Sequence, residues 1–139
     1  MNEPPIPSVL AMLVCDQVIV DQQTQKKSLI GIFENLNAVG FPAALNCAVY
    51  ARLADAEGHY KFRLRLVSLK DERLLSEITF EGNVQRREQP AELALYLAGI
   101  PLTEPGKYEI QSYADDVFLA RTTLNALQIS LPGAPPWQQ

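Results

Sequence analysis

Apolar and polar residues alternate along most of the chain. The segment from Leu45 to Leu53 has the clearest alternation. Its apolar side holds Leu45, Cys47, Val49, Ala51 and Leu53, and its other side holds Asn46, Tyr50 and Arg52. Successive side chains of a strand point to opposite faces of a sheet, so this period predicts a strand with one buried face. Similar segments of about 7 to 11 residues recur between turn signals, a spacing typical of a sandwich or barrel.

Two neighbouring segments predict a hairpin. Apolar residues alternate with basic ones from Tyr60 to Leu66, and with acidic ones and threonine from Leu74 to Glu81. The residues 70–73 between them are all charged and form the turn. The predicted pairs are Arg65 with Glu77 and Lys61 with Glu81 outside, and Phe62 with Phe80 and Leu64 with Ile78 inside. A slip of one residue would expose both phenylalanines, so the register is well specified.

The first long apolar segment predicts a different environment. Leu10–Val20 is apolar on both faces apart from Asp16 and Gln17, which predicts a strand buried on both sides or one crossing between sheets. Gly31, inside the following strand, indicates a bulge or a close backbone approach. Altogether about eight strands are expected, and we predict an all-β, two-layer antiparallel sandwich, immunoglobulin-like in plan. A single closed barrel is the alternative.

The chain has 139 residues, a common size for one domain. We expect the sandwich to span residues 8–131, with flexible ends at 1–7 and 132–139, because proline removes the donors that a strand needs. Trp137 belongs to the second of these ends, and we interpret it as part of a disordered end in preference to a short docking peptide.

The net charge of −4 argues against nucleic acid and an anionic membrane surface as partners, since both attract basic faces. The apolar run Val9–Cys15 is too short to span a bilayer. A secretory leader would carry a positive charge, and none precedes Ser8. We therefore expect a cytoplasmic location. In a reducing compartment Cys15 and Cys47 are expected as buried thiols, because the alternative, a disulfide, needs an oxidising one.

The sequence contains no convincing catalytic or metal-binding set. His59 is the one histidine, and imidazole catalysis needs a partner that orients the ring. Acidic pairs in predicted turns suit backbone capping, with calcium ligation as the alternative; they are Asp55 and Glu57, Asp71 and Glu72, and Asp115 and Asp116. The basic row Lys61, Arg63 and Arg65 is explained by the opposing glutamates. We expect no catalytic residue, no metal and no cofactor.

Outward aromatic residues are the remaining candidates. Tyr50, Tyr96, and one of Tyr113 and Phe118 are expected outside the core. Sugars and partner proteins both stack on such side chains, whereas packing at a sheet edge is the structural alternative. We take Tyr50, Tyr96 and Tyr113 as the candidate binding surface.

Two stretches resemble known families. Cys15-Asp16, the segment Ile30–Phe33 and Phe41-Pro42 resemble the start of a bacterial family of small domains of unknown function. Near the other end, Pro105-Gly106 with Tyr108, and Asp115-Asp116, resemble the last hairpin of immunoglobulin-like bacterial domains. The resemblance implies a β-sandwich and assigns no catalytic role.

Three functional hypotheses follow. The leading one is a protein-interaction or assembly module, including a homo-oligomer that associates through an exposed strand edge. The second is a small-ligand or carbohydrate-binding module that uses the outward tyrosines. The third, an enzyme, requires a polar pocket with at least two titratable groups of perturbed pKa, for which the sequence offers few candidates.

Overall fold

The computed structural model describes residues 3–130 and consists of strands joined by short turns. The strands are β1 (Ser8–Val20), β2 (Lys27–Ile32), β3 (Asn35–Ala38), β4 (Ala43–Ala54), β5 (Gly58–Ser68), β6 (Leu74–Val84), β7 (Ala91–Leu102), β8 (Gly106–Ala114) and β9 (Val117–Gln128). They form a four-stranded sheet in the order β2-β1-β4-β7 and a five-stranded sheet in the order β3-β9-β8-β5-β6. The predicted all-β, sandwich-like fold is confirmed.

The five-stranded sheet departs from the prediction in one respect. It is mixed, because β3 pairs in parallel with β9, with Asn35 opposite Asn125. Residues 3–130 therefore contain nine strands where about eight were expected, and the sandwich is not wholly antiparallel. The extra strand has only four residues, and its short polar–apolar alternation follows closely on the segment before it, so the pattern did not separate it as a strand of its own. The immunoglobulin-like plan stays a prediction.

The β5–β6 hairpin has the predicted register. Arg65 lies opposite Glu77 and Phe62 lies opposite Phe80, with the two aromatic rings stacked at 5.4 Å between centroids. The Nε atom of Arg65 lies 3.3 Å from a carboxylate oxygen of Glu77. Lys61 is opposite Glu81 as predicted, although the carboxylate of Glu81 lies within 3.4 Å of the His59 ring.

The main core lies between the two sheets. It contains the inward residues of the alternating segments, including Leu45, Leu66, Ile110 and Leu124, all 2% exposed or less. At one end the buried Tyr60 donates a hydrogen bond to the carbonyl of Pro5, at 2.7 Å, so Pro5 lies against the sandwich. The flexibility of residues 1–7 stays a prediction, and residues 132–139, with Trp137, lie outside the described residues.

The prediction that Leu10–Val20 is buried on both faces is wrong. Leu10, Ile19 and Val20 are exposed large hydrophobic residues. Ile19 and Val20 lie in the second half of β1, which no longer pairs with β4, and Leu10 lies at an irregularity in the β1–β4 pairing between Val9 and Ala11. Within residues 3–130 there is no helix of the length and apolar character needed to cross a membrane.

Candidate functional site

Strand β1 has two parts with different neighbours. Its first part pairs with β4 as far as Cys15, which lies opposite Ala48. Beyond that point, in the described part of the chain, β1 pairs with β2 alone, from Gln17 opposite Ile30 to Val20 opposite Lys27. Residues 17–30, which we call the arm, therefore form a two-stranded hairpin that has left β4.

The arm folds back over the outer face of the four-stranded sheet. In a straight strand Val20 would lie about 30 Å beyond Ala11, at about 3.3 Å per residue. Yet Lys27, the partner of Val20, places its Nζ atom 3.1 Å from Glu92. Glu92 is opposite Arg52, which is in turn opposite Ala11. The two ends of β1 thus converge on one part of the sheet, which requires a bend between them.

The bend lies at Asp16 and Gly31, which we call the hinge. Gly31 has a φ of +70°, in the left-handed region that only glycine adopts at little cost. A Cβ atom at Gly31 would lie 2.2 Å from Oδ2 of Asp16, so the Asp16 side chain would have to move to make room for it. The sequence predicted a bulge or a close backbone approach at Gly31, and the group that lies against it is the side chain of Asp16.

Beneath the arm lies a second apolar cluster outside the main core. Val18 and Leu29, on the inward side of the arm, pack with Cys15, Ala48 and Tyr50. Only 8% of Tyr50 is exposed. The prediction of an exposed Tyr50 is therefore wrong, because a segment distant in the sequence covers the outer face on which it lies.

A polar group closes the arm at its tip. The Tyr50 hydroxyl donates a hydrogen bond to the carboxylate of Glu92. The same carboxylate accepts a hydrogen bond from Lys27, and Nη1 of Arg52 lies 3.9 Å from its Oε2. The hydrogen bond from Tyr50 and the contacts of Lys27 lower the pKa of Glu92. Burial, together with the bond to Glu92, raises the pKa of Tyr50. Both shifts keep the proton on the phenol and the charge on the carboxylate.

Tyr96 holds the side of the arm. Its hydroxyl donates to the carbonyl of Val18 at 3.0 Å and accepts from the Val18 amide at 3.3 Å. These backbone groups belong to the part of β1 that has left β4, so the hydroxyl supplies bonds that a neighbouring strand would otherwise supply. The rest of the side chain is open to solvent, and 56% of the residue is exposed, as predicted.

The outward side of the arm carries two exposed isoleucines between two exposed polar residues: Ile19, Ile30, Gln17 and Ser28. Ile19 and Ile30 are 44% and 45% exposed. Because Ile19 is opposite Ser28 and Ile30 is opposite Gln17, the two isoleucines are diagonal neighbours on one face, about 7 to 8 Å apart. Exposed large apolar residues that lie together mark interaction sites. We call the exposed pair Ile19 and Ile30 the arm surface.

Tyr113 belongs to a different surface. It lies on β8 in the five-stranded sheet, with the Arg63 guanidinium 4.6 Å from its ring centroid and the Phe118 ring at 5.7 Å. Its hydroxyl donates to Gln111 at 3.2 Å. These contacts hold the Tyr113 ring against its neighbours in the five-stranded sheet. Tyr113 therefore does not form one surface with Tyr50 and Tyr96, which lie on the other sheet.

The other polar candidates have structural surroundings. The Asp115 carboxylate accepts the backbone amide of Lys61 at 2.8 Å, and Asp55, Glu72, Asp115 and Asp116 all have positive φ in turns, as their turn assignment predicts. His59 is mostly exposed. Among residues 3–130, no group of three or more His, Cys, Asp or Glu side chains is placed to hold a metal ion.

The buried thiols have raised pKa values. Burial is the main cause at both positions, and it raises the pKa of Cys47 to about 11 and that of Cys15 above its usual value. Both cysteines are free. They are therefore protonated and unreactive at neutral pH while the arm and the core stay closed.

Comparisons with known proteins place the chain as follows. Residues 10–127 match the model of a family described as of unknown function. No curated protein matches the sequence. Among solved structures, the chain is similar to the sensor domain of the anti-sigma factor RsgI4 in Pseudobacteroides cellulosolvens, with 8% sequence identity and a TM-score of 0.43 over 90% of this chain and 98% of that chain. A likeness at this level carries no function to this chain.

Proposed function

This chain belongs to DUF6941, a family of unknown function, and we propose that it is a non-catalytic protein-binding module that presents the arm surface to its partner. The observation that carries the proposal is the exposure of Ile19 and Ile30 as diagonal neighbours on the outward side of a folded hairpin. Full burial of one fully exposed side chain of this kind contributes roughly 1.5 to 3 kcal/mol. Because each isoleucine is already about half buried, covering both supplies about that amount in total.

The arm suits binding because its own fold fixes it before a partner arrives. Its inward side is held by Tyr96, by Glu92 and by the cluster around Tyr50. Little conformational entropy is then lost when the outward side is covered, which favours affinity. The two buried thiols are in keeping with the reducing cytoplasm of a bacterium, and we place the protein there as part of the proposal.

The carbohydrate-binding alternative has less support. It relies on Tyr50, Tyr96 and Tyr113, but Tyr50 is covered by the arm and Tyr113 lies on the other sheet. Tyr96 alone retains a largely exposed ring. A single tyrosine offers one stacking position, whereas the arm surface offers two neighbouring apolar side chains.

Affinity capture with matched variants tests the proposal. The baits are the wild-type protein, Ile19→Ser with Ile30→Ser, and the control Leu69→Ser with Leu74→Ser. The control removes two exposed leucines near the β5–β6 turn. We expect the arm variant to lose its captured partner at least about tenfold, as a loss of 1.4 kcal/mol or more requires, while the control retains it. Equal capture by the two variants would contradict the proposal, provided that circular dichroism shows both to be folded.

A further inference from the structure

The outer face under the arm is a surface with defined requirements, and we call it the seat: Ala48, Tyr50, Glu92 and Tyr96. It takes a small apolar pair over Ala48 and Tyr50, a cation on Glu92, and a backbone amide and carbonyl on the hydroxyl of Tyr96. The arm supplies all three through Val18, Leu29 and Lys27. Each of these groups lies beyond the hinge.

The backbone does not tie an arm to the seat of its own chain. Ladder pairing between β1 and β4 ends at Cys15, and the described contacts between arm and seat are made by side chains and by the Tyr96 hydroxyl. At the hinge, Gly31 adopts positive and negative φ about equally readily. The bent and the extended directions of the arm are therefore both open to the hinge glycine.

From this arrangement we propose that the seat also receives the arm of a second copy, and that two chains exchange arms reciprocally in a two-fold symmetric dimer. Exchange of an identical element reproduces in the dimer the contacts of the closed monomer. Lys27 of each chain then meets Glu92 of the other, and Val18 of each chain meets Tyr96 of the other. The arm surface stays exposed, because the exchange uses only the inward side of the arm.

A second copy fits the seat better than an unrelated protein does. An unrelated partner would have to present a cation, two apolar side chains and a free backbone amide and carbonyl at matching positions, and would have to displace the resident arm. The arm of a second copy meets every requirement by identity. Because Lys27 and Glu92 carry opposite charges, an experiment that reverses either charge can test the contact.

Charge exchange between two variants tests the proposal. In Lys27→Glu and in Glu92→Lys, arm and seat carry like charges, both within one chain and between identical copies. In an equimolar mixture, an exchanged heterodimer restores two opposite-charge contacts. We expect each variant alone to be monomeric by size-exclusion chromatography with light scattering, and the mixture to contain a species of twice the mass. Native mass spectrometry with one variant labelled with 15N should find one copy of each.

The matched control is Lys26→Glu mixed with Glu92→Lys, which makes the same charge change one residue away and should give no heterodimer. Monomers alone in the first mixture would overturn the proposal. If either variant fails to fold, an experiment on the wild-type protein tests arm exchange instead. In a refolded mixture of 14N and 15N chains, carbodiimide coupling of Lys27 to Glu92 yields mixed-isotope peptides if arms exchange, and only uniform peptides if they do not.

The test of arm exchange is independent of the test of the proposed function. Ile19→Ser with Ile30→Ser changes only the outward side of the arm, so it should abolish partner capture and leave arm exchange intact. Absence of a heterodimer from the mixture of Lys27→Glu with Glu92→Lys, together with normal partner capture by the wild-type protein, would overturn the dimer alone.

Discussion

The carboxylate of Asp16 occupies the space that a side chain at Gly31 would need, since a Cβ there would lie 2.2 Å from Oδ2. This contact joins two segments that carry the family resemblance, Cys15-Asp16 and Ile30–Phe33. They meet at the hinge, where β1 stops pairing with β4 and the arm turns back. Residues 17–30 between these two segments are the arm, so the segments flank the bend.

Gly31→Ala should destabilise the protein. A side chain at a φ of +70° costs about 1 to 2 kcal/mol, and the clash with Asp16 adds to that cost. We expect a lower urea midpoint with an unchanged slope. Gly40→Ala is the control, because a Cβ at Gly40 meets no atom within 4 Å, and it should change stability by less than about 0.5 kcal/mol. Equal midpoints for the two variants would contradict the account of the hinge.

Lys27→Glu should loosen the arm and uncover Cys15. This thiol is fully buried in the cluster that Val18 and Leu29 complete, so its alkylation reports opening of the arm. We expect faster maleimide labelling of Cys15, measured by peptide mass spectrometry, with no change at Cys47 in the main core. Lys26→Glu is the matched control. If both variants labelled Cys15 at the wild-type rate, the ion pair would not hold the arm.

Acid should weaken the closed arm through Glu92. The pKa of Glu92 is lowered in the folded protein, so its contribution to stability is present above the usual glutamate value of about 4.3 and is lost as the pH falls through the lower folded value. We expect the wild type to lose more stability between about pH 6 and pH 3 than Glu92→Gln does. Urea denaturation over that range measures the difference, and parallel curves would count against this role for Glu92.

Tyr96→Phe should cost more than the equivalent change at Tyr113. Removing the Tyr96 hydroxyl leaves the amide and carbonyl of Val18 without their partner, at roughly 1 to 3 kcal/mol if water does not replace it. Within residues 3–130 the hydroxyl of Tyr113 bonds only to the side chain of Gln111, so Tyr113→Phe should have little effect. Thermal unfolding compares the two variants. An equal loss would mean that the Tyr96 hydroxyl does not hold the arm.

Local pattern predicted those elements whose partners lie nearby in the sequence. The β5–β6 register follows from charges and aromatic residues that match across one turn, as with Phe62 and Phe80. The arm was not predicted, because apolar residues on both faces of Leu10–Val20 fit a strand buried on both sides as well as they fit a strand whose end folds over the sheet. Tyr50 was correctly placed on the outer face, but its cover comes from Val18 and Leu29. No local signal identifies which distant segment covers an outer face.

The site, the proposed function and the dimer all depend on the position of the arm over the seat. Carbodiimide coupling of the wild-type protein tests it directly, because the reagent joins only amines and carboxylates in contact. Lys70 and Glu104, with Nζ and Oε1 3.2 Å apart, provide an internal control. We predict an amide link between Lys27 and Glu92, whose atoms are 3.1 Å apart. Coupling of Lys70 to Glu104 without any link between Lys27 and Glu92 would contradict it.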